Sequence, residues 1–366
     1  MIYLSEGSLS YQVDGTFRRY DSQFIREKIA WIEQNNAATA WRRKPGDAGA
    51  DGLVSRSMLW GNRGGPIAAP EIVLAEESER GFYFVVQLSR AAGLFHYDIA
   101  KDEETRLFHR EEFLPVGLAV TADHLITTTR NDDGSVHLCS YNREGRDPQT
   151  LTAGDTQDGN PFPWKERIFY DSRGIGRLQD GAIGAFGPSG IYAIATDGSH
   201  HEVIRESATY DYLMPKVGAD GTIYAIRRPY DHGRPSPWQL AKDLALFPFR
   251  VVLAIVSFLD AFSRFFANKP LLTAGGAPVQ RDYKRMLLMH RYLDVETASR
   301  KAGFKTVVSD EWKLVRLAGA ADEVVASHVA ALDIHASGVV RSNGFRIQDL
   351  EGRVLLESDV PITHFT

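Results

Sequence analysis

The sequence predicts an all-β chain folded as a β-propeller of six blades, with five or seven as the alternatives. Three observations lead there: units of roughly 50 residues recur, Asp-Gly turns fall at matching places within them, and both chain ends read as short strands able to share one sheet. The first unit runs through Gly93 to Asp98 and Glu104 to Leu107 and reaches Pro115. The second runs through Ser135 to Leu138, Asn142 to Gly145 and Leu151-Thr152, reaching Pro163 and Trp164. The third runs through Gly190 to Ile194, Asp197-Gly198 and Val203-Ile204, reaching Pro215. Short apolar or alternating runs separated by Gly, Asp and Asn are the pattern of antiparallel strands joined by tight turns. Asp14-Gly15, Asp197-Gly198 and Asp220-Gly221 supply three such turns, because glycine accepts positive φ without a Cβ clash.

Along the chain, blades are expected near 67–110, 114–153, 160–206, 212–327 and 328–358. A sixth is composite: Ile362 to Phe365 from the end of the chain joins Ile2 to Leu4, Ser8 to Tyr11 and Phe17 to Tyr20 from its start. Sharing one sheet between the ends would close the ring and leave no edge strand between first and last blades.

Two segments depart from the repeat. In 22–65, Ser22 is placed to cap a helix running to about Trp41, with Phe24, Ile25, Ile29 and Ile32 on one side; Gly46 to Gly65 then reads as a loop over one face of the ring. That segment is open to two roles, a lid over the central channel or a purely structural piece. In 234–305, an insertion interrupts the fourth blade. Its most apolar stretch, Leu244 to Ala267, contains Pro248, Arg250, Asp260 and Arg264, which argues against a simple transmembrane helix. At 100° per residue the polar groups Arg250, Ser257, Asp260, Arg264 and Asn268 gather on one side. Val251, Ile255, Phe258, Leu259, Phe262 and Phe266 gather on the other and, with Phe247 and Phe249, form the candidate interaction surface. Burial against the chain's own propeller, docking on a protein or a second copy, and lying in a membrane interface all remain open for it. A shorter helix from Asp294 to Gly303 follows, with Asp294 as N-cap and Gly303 as C′.

The chain has 366 residues and one cysteine, Cys139, so it can form neither an internal disulfide nor a thiolate metal cluster. A net charge of -5 without a basic stripe excludes nucleic acid as the expected partner. No basic and apolar leader is visible at the start, and the expected location is cytoplasmic, or peripheral at the inner membrane.

No nucleophile elbow, phosphate loop, zinc helix or cysteine pair is present, so no catalytic residue, metal or cofactor is assigned. His200 and His201 are adjacent, hence on opposite faces of a strand, and are expected to be exposed. Asp155, Asp158 and Asp211 precede Pro163 and Pro215 and are expected in equivalent loops, bonding backbone N–H groups. Arg173, Arg177, Arg227 and Arg228 are candidates for an anionic pocket or for a solvated face. Asp158, Trp164, Arg173, Asp211, Arg227 and Arg228 together form the candidate channel or loop face. Trp164 and Tyr212 read as blade packing more than ligand stacking, and Cys139 as a small buried hydrophobe.

The order in Leu151 to Ser172 (Leu-Thr, an Asp a few residues on, Pro-x-Trp, then Ile-Phe-Tyr-x-Ser) resembles the repeat of TolB-like β-propellers. The resemblance covers about 94–230 and, more weakly, 328–358. It implies the propeller fold, and because some TolB-like propellers are hydrolase or lyase domains it implies one functional alternative. It departs from the periplasmic member in showing no signal sequence and no preceding adaptor domain, so a role in envelope translocation is not carried over.

The functional expectation is a non-enzymatic scaffold presenting loops and the insertion to a protein partner, with self-association or peripheral membrane contact through 244–267. The alternatives are a hydrolase or lyase, or a small-ligand sensor, using the central channel. A carboxylate or histidine cluster at one mouth of the ring would favour the enzyme.

Overall fold

The computed structural model describes residues 1–39, 69–88, 91–231, 285–319, 321–335 and 338–366. Met1–Gln34, Ile67–Tyr230 and Tyr283–Thr366 cluster as one compact unit. The chain is mostly β. Its first three strands, β1 (Ile2–Ser5), β2 (Ser8–Val13) and β3 (Thr16–Arg19), form a meander. The β2–β3 turn places Asp14 and Gly15 at φ of 51° and 78°, the two positive values that a type I′ hairpin needs.

Helix α1 (Gln23–Thr39) follows. Its N-terminal amides are capped twice over. The Ser22 hydroxyl accepts from Ile25 N at 3.3 Å, and the Glu104 carboxylate accepts from Gln23 N at 3.1 Å and Phe24 N at 2.9 Å, which also places a negative charge on the positive end of the helix.

A second sheet comprises β4 (Glu71–Ser78), β5 (Gly81–Leu88), β6 (Ala91–Asp98) and β7 (Glu103–Glu111). Next come β8 (Pro115–Val120), β9 (His124–Arg130), β10 (Val136–Asn142) and the short β11 (Gln149–Thr150). They continue into β12 (Thr156–Trp164), β13 (Arg167–Arg177), β15 (Gly190–Ala195) and β16 (Glu202–Arg205), with β14 (Ile183–Phe186) paired to the far end of β13. The junction between β10 and β12 is a single parallel pairing, Val136 with Gln157, which makes these nine strands formally one sheet.

The next four-stranded sheet is β17 (Tyr210–Val217), β18 (Ile223–Pro229), β21 (Lys313–Ala318) and β22 (Ala321–Ser327). Between β18 and β21 lie a separate hairpin, β19 (Arg285–Leu288) with β20 (Arg291–Asp294), and helix α2 (Val295–Ala302). Asp294 caps α2 by accepting from Thr297 N, and Gly303 ends it in the left-handed conformation at φ 76°. The last sheet is β23 (Ala331–His335), β24 (Gly338–Ser342), β25 (Arg346–Asp349) and β26 (Val354–Glu357). Finally β27 (Ile362–Phe365) returns to β1, pairing Tyr3 with Phe365 and Leu4 with His364.

The apolar core is distributed between sheets. Phe82, Phe84 and Phe95 pack with Leu4, Leu9 and Tyr20; Leu94 with Leu125 and Tyr141; Ile126 and Leu138 with Ile168 and Ile194. Central strands such as β5 are therefore buried on both faces. The first strands of successive sheets touch in order: β4 with β8, β8 with β12, β12 with β17, β17 with β23, β23 with β27, and β27 with β4.

The Gly46–Gly65 loop and the segment Leu244–Ala267, with the candidate surface Phe247, Phe249, Val251, Ile255, Phe258, Leu259, Phe262 and Phe266, lie outside the described residues. Among the described residues, no helix is long and apolar enough to cross a membrane.

Candidate functional site

The first strands β4, β8, β12, β17, β23 and β27 all contribute to one cavity of about 190 Å³. Met286, Leu288 and Met289 of the β19–β20 hairpin line it as well. Its wall depends on close strand approach. A Cβ on Gly117 of β8 would stand 2.5 Å from Thr128 Oγ1 and 2.9 Å from Pro161 Cδ, so only glycine fits there without displacement.

Most of the lining is apolar, and among the described residues the ionisable exceptions are Glu76, Lys216 and His364. They belong to one electrostatic group. Lys216 Nζ pairs with Asp333 Oδ1 at 2.5 Å and stands 4.8 Å from the centre of the Phe162 ring. The other Asp333 oxygen is 3.8 Å from His335 Nε2. His364 Nε2 donates to Ala75 O at 2.8 Å, which ties β27 to β4 and fixes the tautomer.

Burial dominates the titration of this group. It pushes the Glu76 carboxyl up to about 8, with Lys216 opposing and Asp333 and Glu77 reinforcing the rise. Burial likewise pulls His364 and His335 below the usual histidine range. For Lys216 burial would lower the value, but Asp333 and then Glu76 overcome it and the net shift is upward. At neutral pH the wall therefore presents an ammonium, a largely protonated carboxyl and a neutral imidazole.

The residues singled out from sequence divide into several places. Asp158 and Asp211 are not in loops. β12 already begins at Thr156 and β17 at Tyr210, so both aspartates are buried strand residues facing the neighbouring strand. Asp158 accepts from Ser172 Oγ at 2.6 Å and Thr152 Oγ1 at 2.5 Å. Ser172 thus bonds the carboxylate rather than a histidine, and His137 Nδ1 stands 3.7 Å from the same carboxylate, so the three do not make a nucleophile–base relay.

Asp211 accepts from Ser189 N at 3.0 Å and pairs with Arg228 Nε at 2.9 Å, its cross-strand neighbour. Arg228 is 4% exposed; it also donates to Met289 O at 2.9 Å and stacks 4.6 Å from the Trp312 ring. Arg227 points the other way along β18 and donates to Asp322 at 2.9 Å.

Arg173 donates to Gln157 Oε1 and lies 3.9 Å over Phe186; burial lowers its value to about 10. Arg173, Arg228 and Arg130 act together on His290, which burial, then those charges, hold down at about 4. Arg177 instead joins the exposed Asp155 and Asp133. Trp164, at the end of β12, packs edge-on against Phe169, and buried Tyr212 donates to Asp322. His201 Nε2 meets Tyr170 OH at 2.8 Å. Cys139 is half-buried, and its thiol is pushed up by burial. Among the described residues no group of three His, Cys, Asp or Glu side chains is arranged to hold a metal.

Glu76, Lys216, Asp333 and His364 were not singled out from the sequence. The available signal was a charge interrupting an apolar inner strand, as Glu76 does after Ile72-Val73-Leu74-Ala75 and Lys216 does between Pro215 and Val217.

No family model matches the chain, and no curated protein matches it in sequence. Among solved structures it is similar to TolB from Acinetobacter baumannii, at 10% identity and a TM-score of 0.42, covering 78% of this chain and 54% of that one. It is similar to the tricorn protease at 10% identity and 0.44, covering 96% and 31%, and to a Mycobacterium tuberculosis puromycin-hydrolyzing peptidase at 11% and 0.38, covering 80% and 47%. The chain thus spans about half of the length of these structures or less. At these scores the likeness carries no argument of its own, and the mostly-β architecture stands on the chain's own sheets.

Proposed function

We propose that the chain is a closed six-bladed propeller of the TolB-like kind acting as a non-enzymatic binding scaffold, cytoplasmic or peripheral at the inner membrane. The count of six takes the nine-stranded sheet as two four-stranded units joined at the Val136–Gln157 bridge, with β14 appended. Closure is supported by the cycle of contacts among first strands and by β27 pairing with β1.

The observation that carries the scaffold reading is the β19–β20 hairpin. Leu287 and Tyr292 form a cross-strand pair that is 58% and 82% exposed, while Met286 and Leu288 on the alternate positions line the cavity. Arg228 bonding Met289 O and Arg291 bonding Pro229 O hold that hairpin in place, so the apolar pair is presented to a protein partner with little ordering cost. The test compares the intact chain with Leu287→Ser/Tyr292→Ser and with 236–280 replaced by a Gly-Ser linker, reading oligomeric state, liposome co-sedimentation and melting. Unchanged melting with loss of association supports the scaffold. A parent that is a monomer indifferent to lipid, together with an unfolded deletion, refutes it.

A second reading, small-ligand binding or chemistry in the channel, is favoured by the cluster of Glu76, Lys216, Asp333 and His364. A carboxyl raised to about 8 is suited to general-acid work. Among the described residues the one lining hydroxyl is Thr363, which donates to Leu4 O, and this favours binding over bond cleavage.

A further inference from the structure

We infer that the central cavity is a binding site for a small monocarboxylate with a short apolar tail, its head held by Lys216 and Glu76 and its tail by Met214, Met286 and Leu288. The site uses the alternate positions of the β19–β20 hairpin and not its exposed pair Leu287 and Tyr292, so the inference does not rest on the scaffold reading.

Size bounds the occupant first. A cavity of about 190 Å³ is below the roughly 300–1,000 Å³ of sites for drug-sized ligands. A peptide does not fit, and a molecule of a few carbons does.

Polarity comes next. The wall carries a group of neighbouring ionisable side chains, and thioether and branched aliphatic side chains make up much of the rest, so the occupant has a polar head and an apolar body. The sign of the head follows from which charges face the space. Lys216 and Glu76 line it, whereas Asp333 is not among the lining residues and uses one Lys216 donor. His364 spends its N–H on Ala75 O. The lining therefore offers ammonium N–H groups and the O–H of a protonated carboxyl, both donors, and an anionic acceptor completes them. An alkylammonium head would meet a cation and a neutral acid instead.

Ionisation of Glu76 would place a second negative charge beside a bound carboxylate. The groups around Glu76 are Lys216 from β17, Asp333 from β23, Glu77 on its own strand, and Thr366, which donates to it; His364 on β27 faces the same Lys216 and Asp333. An ionised Glu76 repels a carboxylate beside it, so carboxylate affinity falls as pH rises through about 8.

The experiment titrates the full chain with butyrate, butyramide and butylamine by calorimetry at pH 6.5 and pH 9. Expected is a preference of at least about ten-fold for butyrate over butyramide at pH 6.5, that is about 1.4 kcal/mol. The preference should shrink at pH 9, and this pH step should be absent in Glu76→Gln. Met214→Trp fills part of the cavity two residues from Lys216 on β17 and should abolish binding, and a melting curve taken beside it separates loss of the site from loss of the fold. Equal binding of butyrate and butyramide, tighter binding of butylamine, no binding of any probe, or butyrate binding unaffected by Met214→Trp would each overturn the inference.

Discussion

Deleting residues 362–366 tests whether one sheet built from both chain ends holds the whole molecule. The deletion removes Ile362 and Phe365, which are 6% and 4% exposed. At about 1.5–3 kcal/mol for each buried side chain, the pair contributes about 3–6 kcal/mol. Backbone bonds go as well, among them Ile2 N to Thr366 O at 2.7 Å, Thr366 N to Ile2 O at 3.0 Å and Ile362 N to Gly344 O at 2.7 Å. At about 0.5–1.5 kcal/mol each, these three add about 1.5–4.5. Set against a whole-domain stability of about 5–15 kcal/mol, the total removes a large share of it. The His364 bond to Ala75 O is lost too, so the damage crosses directly from β27 into β4. Urea unfolding followed by circular dichroism, with amide exchange read strand by strand, measures the outcome. In a closed ring, protection falls in β4–β7 along with β1–β3 and the midpoint drops for every probe together. Loss confined to β1–β3 with an unchanged midpoint elsewhere would refute the reasoning.

Two further predictions concern buried charge. Arg228→Met removes the ion-pair partner of buried Asp211, leaving it the Ser189 N–H bond and the charge of Arg173, and should cost up to about 3–5 kcal/mol by denaturant unfolding. Adding Asp211→Asn should recover much of that loss, and a double variant no better than the single would refute the pair as the cause. Asp171, which accepts from Met214 N and Asn160, is nevertheless pushed up to about 6 by burial. Because its folded value lies above the unfolded one, the folded state holds the proton longer, and stability declines as pH rises from about 4 through about 6. Asp171→Asn should remove its share of that decline and leave the part that Glu76 carries up through about 8, which stability curves of both chains at pH 4, 5, 6 and 7 will check.

Much of the strand layout was legible because turn chemistry is local. Asp14-Gly15 and Asp197-Gly198 mark hairpins that residues far away cannot change, and the alternation in Ile2 to Tyr11 and Ile362 to Phe365 was enough to put those segments together. The cavity was hidden for the opposite reason. Glu76, Lys216, Asp333 and His364 meet only when four different inner strands are brought side by side, and no spacing in one sequence encodes that. Asp158 and Asp211 were misplaced in loops because a carboxylate near Pro and Gly looks like turn chemistry. Register shows each facing a cross-strand partner instead, Ser172 for Asp158 and Arg228 for Asp211. The arginines shared the same difficulty: Arg227 and Arg228 are neighbours in sequence but serve different acidic partners, Asp322 and Asp211.

The bond from Arg291 Nη2 to Pro229 O has a consequence for how this molecule can change over time. The chain leaves β18 at Pro229, and the Arg291 side chain of β20 reaches back to that same residue. Joining two ends that are already adjacent has an entropic cost that grows only slowly with what lies between them, by about 0.6 kcal/mol for each doubling in length. A change of chain length between β18 and β19 therefore adds little closing cost so long as Arg291 keeps that bond.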